Sequence, residues 1–184
     1  MIITITGKPC SGKGTVGKMF AENYNFEYIC TGDMFRTYTK KLGYSSILEF
    51  QQKYPDINSV DKEIDNQTTE IGKARLNDNI IFDSRLAWHF IPKSFKVFID
   101  VDWNTAAERL LNTNRNTEQV SSIKEAEQAV KDRWNEENER YSKIYNTNNT
   151  NPSNYDLVIS SSNLTPEEIC KIIYNEYKKF MQNA

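Results

Sequence analysis

Short runs of apolar and β-branched residues recur along the chain, and segments with the spacing of amphipathic helices separate them. The runs cover residues 2–6, 28–30, 79–83, 96–101 and 156–160. Runs of this length between helical segments are typical of buried strands in a parallel sheet. The pattern therefore predicts an α/β fold with a five-stranded parallel sheet flanked by helices on both faces. In such folds ligands bind where loops leave the carboxyl ends of the strands.

Two helix starts are marked by residues that cap a helix. Residues 122–125 read Ser-Ile-Lys-Glu, and residues 165–168 read Thr-Pro-Glu-Glu. In both, a hydroxyl residue precedes a glutamate by three positions, which is the capping-box pattern. These starts predict a long polar helix that ends near Tyr145 and a last helix with one apolar face. Residues 146–154 are polar with a single proline and predict an exposed loop.

Length and composition favour one domain over residues 1–184. The formal net charge of -2 gives no overall attraction to anionic polymers or surfaces, so we expect no nucleic acid partner and no membrane association. Cys10, Cys30 and Cys170 are far apart and odd in number, which favours a reducing compartment. The apolar start is too short for a signal-peptide core or a membrane span. We therefore expect a cytoplasmic protein, and we expect a monomer.

A glycine-bearing turn follows the first predicted strand and precedes a helix. It consists of Gly7, Lys8, Pro9, Cys10, Ser11, Gly12, Lys13, Gly14 and Thr15. This is the G-x-x-x-x-G-K pattern of a phosphate-binding loop, in which backbone N–H groups surround the phosphates and the lysine reaches the outer ones. The pattern predicts binding of a nucleoside triphosphate. The alternative is a strand-turn-helix junction with a solvated lysine.

The end of this loop departs from the usual pattern, which has Ser or Thr directly after the lysine. Gly14 intervenes before Thr15, so direct magnesium binding by Thr15 stays open, as does the reactivity of the Cys10 thiol. Asp83 ends the third predicted strand, where a carboxylate commonly holds magnesium directly or through water. A helix N-cap is the alternative role for Asp83.

Fixed cations are expected at the ligand-binding edge of the sheet if the acceptor carries a phosphate. Arg36 follows the second predicted strand and Arg85 follows the third, so both side chains start from that edge. Either arginine alone is more typical of a surface. Their shared placement beside a phosphate loop favours the functional interpretation.

Further arginines follow the fourth predicted strand. Arg133, Glu137 and Arg140 lie at i, i+4 and i+7 of the long helix and share one face, although a solvated salt-bridge ladder would have the same spacing. Residues 112–121 are polar and carry Arg115, and they predict a mobile lid that would exclude water from the reaction.

With these motifs in place, the chain resembles the nucleoside monophosphate (NMP) kinases. Residues 7–15 look like their G-x-P-x-x-G-K-G-T loop, and residues 31–36, Thr-Gly-Asp-Met-Phe-Arg, look like their T-G-D-M-x-R acceptor motif. Within that group the chain looks most like the short archaeal-type cytidylate kinase, through stretches at residues 61–65, 85–88, 107–109, 140–141 and 155–159. The resemblance covers nearly the whole chain. It implies a P-loop kinase fold with a helical NMP-binding insertion at residues 36–75 and a short lid at residues 112–121.

The resemblance also implies an activity, the MgATP-dependent phosphorylation of CMP or dCMP to the diphosphate. ATP and Mg²⁺ are then the cofactors, and the partners are small molecules. An acceptor phosphate is already largely dianionic at neutral pH, so no general base is needed and the single histidine, His89, is expected to pack. Adenylate kinase or another small-molecule P-loop kinase stays open as an alternative. A nucleotide-binding regulatory switch is the alternative from another class.

The same resemblance implies roles for individual residues. The acceptor phosphate and the developing charge would be held by four arginines, Arg36, Arg85, Arg133 and Arg140. Arg115 would close from the lid, and Arg109 would lie near the donor adenine. The acceptor-site motifs also contain Thr31, Asp33 and Glu137. The carboxylates able to accept a hydrogen bond from the cytosine amino group are Asp61, Asp65 and Asp100. Two departures are Cys10, where many relatives have glycine, and Asp83-Ser84-Arg85, where the closest relatives tend toward Glu-Gly-Arg.

Overall fold

Five parallel strands form a single sheet. A computed structural model describes residues 1–44, 49–50, 53, 57–112 and 120–183, with the backbone alone at residues 57 and 58. The strands are β1 (Ile3–Gly7), β2 (Glu27–Cys30), β3 (Ile80–Asp83), β4 (Phe95–Asp100) and β5 (Leu157–Ser160). Their order across the sheet is β2-β3-β1-β4-β5, and all pairs are parallel. The predicted five-stranded parallel sheet is confirmed.

Helices connect the strands and cover both faces of the sheet. In the described part of the chain they are α1 (Lys13–Tyr24), α2 (Thr31–Lys41), α3 (Ile57–Ala74), α4 (Ala87–Phe90), α5 (Trp103–Leu111), α6 (Ile123–Tyr145) and α7 (Pro166–Asn183). Both predicted caps are present. The Ser122 hydroxyl accepts from the N–H of Glu125 at 3.3 Å, and the Thr165 hydroxyl accepts from the N–H of Glu168 at 3.2 Å.

The core lies on both sides of β1, whose five residues are all buried. On one face, α1 and α7 pack against the sheet through a cluster that contains Ile5, Phe20 and Ile173. On the other face, Ile80 and Phe82 pack around α4. Burial on both faces explains why the central strand β1 consists of β-branched residues up to Gly7, with Thr4 and Thr6 buried as fully as its isoleucines. With both faces covered, the carboxyl ends of the strands form the edge open to ligands.

The prediction of an exposed loop at residues 146–154 is wrong in part. Thr147 and Asn149 are buried, and residues Pro152–Asn154 form a 3-10 turn. The Asn149 side-chain oxygen accepts from the indole N–H of Trp88 at 3.0 Å, and its carbonyl accepts from the Tyr155 hydroxyl at 2.9 Å. Composition did not reveal this because an amide can be buried once its hydrogen bonds are made.

The two predicted insertions lie only partly within the described residues. The NMP-binding insertion includes most of α2 and all of α3, which pack against each other. Most of the predicted lid, including Arg115, lies outside the described residues. Among the helices that are described, none is both long and apolar enough to cross a bilayer.

Candidate active site at the carboxyl edge of the sheet

The phosphate loop joins β1 to α1, and backbone geometry explains two of its glycines. A Cβ at Gly7 would lie 2.2 Å from the Ile99 carbonyl oxygen, so only glycine allows β1 and β4 to approach this closely. Gly12 caps α1 with a φ of 82°, in the left-handed region that glycine adopts without strain. The loop therefore presents the N-terminus of α1 at the carboxyl edge of the sheet, which is a favourable position for an anion.

Lys13 and Asp83 face each other beside this loop. The Lys13 Nζ lies 3.6 Å from Asp83 Oδ1, and Asp83 is 7% exposed. Burial, together with the nearby Arg85 guanidinium, lowers the pKa of Lys13 from its ordinary value. The Tyr28 hydroxyl donates to the other oxygen of Asp83, Oδ2, at 2.8 Å. One carboxylate oxygen therefore faces the Lys13 ammonium, and the other accepts a hydrogen bond from Tyr28 on β2.

The donor set around Asp83 fits magnesium of the type that nucleotides carry. Mg²⁺ at phosphate-transfer sites takes one or two protein carboxylates and otherwise water and phosphate oxygens. Across the described ranges, no group of three His, Cys, Asp or Glu side chains forms a dedicated metal cage. Asp83 offers a single buried carboxylate, and Thr15 is exposed at the start of α1.

Lys8 points away from the phosphate side of the loop. Its Nζ lies 2.7 Å from Asp100 Oδ1, donates to the Val101 carbonyl at 3.1 Å, and sits 4.4 Å from the ring centroid of Trp103. These contacts tie the loop to the end of β4. Asp100 is thus engaged by the phosphate loop, apart from the other two carboxylates that the sequence suggested for base recognition.

Arg109 ties the loop to a second neighbour. Its guanidinium donates to the Cys10 carbonyl at 3.2 Å and to the Ser161 carbonyl at 2.7 Å. Cys10 adopts a φ of 60°, which is left-handed and unusual for a residue with a side chain. Its carbonyl is therefore held in place by Arg109, across the first turn of the loop.

Arg85, Glu137 and Arg133 form one network beside the loop. Arg85 Nε lies 2.8 Å from Glu137 Oε2, and its Nη1 donates to the Gly7 carbonyl. Arg133 Nε lies 3.2 Å from Glu137 Oε1. The Arg85 and Glu137 side chains are only 15% and 16% exposed, so a solvated ladder does not describe this pair. Burial opposes the charge of Glu137, but Arg85, Arg133 and Lys13 outweigh it and lower its pKa.

Arg36 lies at the same edge but outside that network. It pairs with Asp33 one helical turn earlier, with 3.1 Å between Arg36 Nε and Asp33 Oδ1, and the two side chains are 52% and 60% exposed. The Thr31 hydroxyl donates to the Asp83 carbonyl at 3.5 Å, which joins the start of α2 to β3. Arg36 and Arg85 thus start from the same edge of the sheet, and Glu137 contacts both Arg85 and Arg133.

A pair of half-buried carboxylates lies on α3 facing α6. Arg140 Nη1 lies 3.7 Å from Asp61 Oδ2, and the Tyr145 hydroxyl donates to Asp65. Burial raises the pKa of Asp65 to about 6, and the neighbouring Asp61 adds to this shift. Burial also raises the pKa of Asp61. Arg140 thus contacts the Asp61 carboxylate, and the Tyr145 hydroxyl contacts the Asp65 carboxylate.

Several side chains that contact predicted site residues were missed from the sequence. They include Tyr28, Trp103 and Tyr145. Tyr28 could have been found from strand alternation, because it lies two residues before Cys30 and shares its face. His89 is exposed, and its ring lies 5.7 Å from that of Trp88 between centroids.

Comparison with known proteins identifies the family. The model of the cytidylate kinase-like family matches residues 2–163. A cytidylate kinase from Methanococcoides burtonii is 35% identical, with 88% of each chain covered. An S-adenosylmethionine-dependent nucleotide dehydratase from Lacinutrix mariniflava is 34% identical over 96% of this chain, which spans 36% of that protein. Shikimate kinase from Bacteroides thetaiotaomicron, 14% identical, matches with a TM-score of 0.66 over 99% of this chain and 98% of its own.

The solved structure shows a P-loop kinase fold. The family model and the cytidylate kinase relative give the enzyme class, nucleoside monophosphate kinase. The chain belongs to the cytidylate kinase-like family.

Proposed function

We propose that the protein transfers the terminal phosphoryl group of MgATP to CMP or dCMP. The observation that carries this proposal is the placement of Lys13, Arg85 and Arg133 around Glu137 beside the phosphate loop. Three cations next to one phosphate-binding loop suit a reaction in which two phosphate groups must be brought together. A loop that bound only a triphosphate would need fewer of them.

The donor side is assigned to the phosphate loop. Backbone N–H groups of residues 7–15 and the N-terminus of α1 would hold the triphosphate, with Lys13 at its outer phosphates. Arg109 would lie near the adenine while it holds the Cys10 carbonyl. Asp83 and the Thr15 hydroxyl would hold Mg²⁺, which when bound neutralises charge on the donor oxygens.

The acceptor side is assigned to the arginines. Arg85, Arg133 and Arg140 from α6 and β3, and Arg36 from α2, would bind the acceptor phosphate together with Thr31 and Asp33. Glu137 would orient the guanidinium groups of Arg85 and Arg133, which both contact its carboxylate. An acceptor phosphate oxygen attacks the γ-phosphorus in line, and the bond from that phosphorus to the leaving ADP breaks. Arg115 in the lid would add charge during transfer.

Base recognition is assigned to Asp61 and Asp65. Both are acceptors when ionised, and the cytosine amino group is a donor at the position where uracil has an acceptor. Arg140 and Tyr145 hold the two carboxylates, so their orientation is set before a nucleotide binds. The names of the archaeal relatives support this choice of base.

A coupled assay across all nucleoside monophosphates tests the proposal. Purified protein with MgATP is expected to turn over CMP and dCMP with the highest kcat/KM. Much faster turnover of AMP would assign the chain to adenylate kinase activity. ATP binding without any acceptor-dependent ADP release would favour a regulatory switch, and a monomer is expected by sedimentation.

A further inference from the structure

The two oxygens of Asp83 contact different groups, and Tyr28 contacts one of them. The Tyr28 hydroxyl donates to Asp83 Oδ2 at 2.8 Å, while Asp83 Oδ1 lies 3.6 Å from Lys13 Nζ. The Cys30 thiol approaches the same Oδ2 at 3.9 Å. The Tyr28 hydroxyl and the Cys30 thiol thus both contact Oδ2, and Oδ1 faces the Lys13 ammonium.

The helix beside Tyr28 is shaped to admit its ring. A Cβ at Gly17 would lie 2.8 Å from the Tyr28 ring carbon Cε2. A Cβ at Gly14 would lie 3.2 Å from Asp83 Oδ2 and 3.7 Å from the Tyr28 hydroxyl. Glycine inside a helix costs about 0.5–1 kcal/mol relative to alanine, so two of them on one face of α1 need a packing reason. The Tyr28–Asp83 pair supplies that reason.

This geometry also accounts for the departure at Gly14. A serine or threonine after Lys13 would place its Cβ against Asp83 Oδ2, in the space next to the Tyr28 hydroxyl. The loop ending in Gly14 and the tyrosine on β2 therefore fit together.

We propose that Tyr28 is a positioning residue that fixes the Asp83 carboxylate so that Oδ1 faces the metal side of the bound nucleotide. The proposal rests on the metal role given to Asp83 above. A carboxylate held by one hydrogen bond keeps its rotamer, so less conformational freedom is lost when the metal binds. Partners that orient a metal ligand in this way typically contribute 10–100-fold to metal affinity.

The first test is Tyr28→Phe, which keeps the ring and removes the hydroxyl. Binding of Mn²⁺ together with a non-hydrolysable ATP analogue, read by electron paramagnetic resonance, is expected to weaken by about 10-fold. Binding of the analogue without metal is expected to match the wild type. The matched control is Tyr155→Phe, which removes a hydroxyl bonded to the Asn149 carbonyl at 2.9 Å and should leave Mn²⁺ affinity unchanged.

Two further variants make the outcomes separable. Gly17→Ala keeps the hydroxyl but displaces the ring, so it should also weaken Mn²⁺ binding, and it covers the case in which Tyr28→Phe fails to fold. Asp83→Asn should weaken Mn²⁺ binding at least as much as Tyr28→Phe. If Asp83→Asn weakens the metal and Tyr28→Phe and Gly17→Ala do not, the positioning role is overturned while the metal role of Asp83 stands. If Asp83→Asn has no effect, both assignments fail, whichever nucleotide is the acceptor.

Discussion

Glu137 on α6 holds the guanidinium of Arg85 at the end of β3, with 2.8 Å between Arg85 Nε and Glu137 Oε2. The same carboxylate contacts Arg133, so one anion compensates two arginines, with Lys13 near enough to contribute. Neighbouring cations need such a counter-charge before phosphate binds, because like charges in a partly buried site otherwise repel each other. In the proposed acceptor site, Glu137 would supply this counter-charge, and its replacement tests that role.

Replacing Glu137 by glutamine should destabilise the free protein and strengthen its response to anions. Breaking a buried ion pair while one partner stays charged costs about 3–5 kcal/mol. The loss should be smaller for glutamine, because its amide oxygen can still accept from the arginines. Urea unfolding should show the loss, and added inorganic phosphate should recover more stability in Glu137→Gln than in the wild type. Glu139→Gln, on the same helix but 67% exposed, is the control and should change stability little. Equal effects of the two variants would contradict this account.

Arg36→Ala should separate acceptor binding from stability. Arg36 is 52% exposed and bonded only to the nearby Asp33 among the hydrogen bonds of the described structure, so the fold should lose under about 1 kcal/mol. If Arg36 binds the acceptor phosphate, kcat/KM for the acceptor should fall by about 30-fold, which corresponds to about 2 kcal/mol, with ATP affinity unchanged. Arg75→Ala is a fitting control, since Arg75 pairs with Glu27 at the opposite end of the strands. Unchanged acceptor kinetics in Arg36→Ala would remove Arg36 from the site.

The raised pKa of Asp65 predicts that the wild type becomes more stable, relative to Asp65→Asn, as the pH is lowered. Its pKa is about 6 in the folded protein against an ordinary 3.8, so the folded state binds the proton more tightly. The resulting stability is complete below pH 3.8 and is lost as the pH rises through about 6. Relative to Asp65→Asn, the wild type should therefore gain up to about 3 kcal/mol between pH 7 and about pH 4 in urea unfolding series.

Asp102 provides a control of opposite sign for that experiment. The Ser162 hydroxyl and the Thr105 groups that donate to Asp102 lower its pKa to about 2. Its contribution is present above pH 3.8 and is lost as the pH falls through about 2. Asp102→Asn should thus leave the difference between pH 7 and about pH 4 nearly flat. A flat profile for Asp65→Asn as well would show that Asp65 has the same pKa in the folded and the unfolded protein.

Lys8→Met should act mainly on stability, because the Lys8 ammonium faces Asp100 and Trp103. Loss of the ammonium leaves Asp100 Oδ1 without its partner, which costs about 1–3 kcal/mol for a buried polar atom. Lys13→Met is the comparison, since Lys13 faces the phosphate side. We expect calorimetry to show a much larger loss of ATP affinity for Lys13→Met. An equal loss of ATP affinity in Lys8→Met and Lys13→Met would mean that Lys8 also binds the phosphates.

The sequence predicted those parts of the molecule that short-range patterns determine. The strands were visible because central parallel strands are buried on both faces and rich in apolar and β-branched residues. The caps at Ser122 and Thr165 lie within four residues of their partners. The link between Arg85 and Glu137 joins positions 52 residues apart. No local spacing encodes such a contact, so the helix face of Glu137 was visible but its partner was not.

The same limit applies to Asp100. In sequence Asp61, Asp65 and Asp100 were equivalent candidates for base recognition, and the fold places Asp100 beside Lys8. The polar tract at 146–154 looked exposed because composition does not show that Asn149 bonds to the buried Trp88 and to Tyr155. The sequence therefore did not predict which distant side chains pair with each other.

The backbone of the phosphate loop gives a prediction that is free of side-chain chemistry. Cys10 and Gly12 both adopt positive φ, 60° and 82°. Alanine and glycine at position 10 both remove the thiol, so their difference isolates the backbone, and Cys10→Gly should be more stable than Cys10→Ala by about 1 kcal/mol. At Gly12 a Cβ would meet no heavy atom within 4 Å, so Gly12→Ala should lose a similar amount through backbone strain alone. Urea unfolding without nucleotide measures all three variants. Equal stability of Cys10→Ala and Cys10→Gly would mean that the first turn of the loop relaxes out of the left-handed conformation, and that Arg109 does not hold it there.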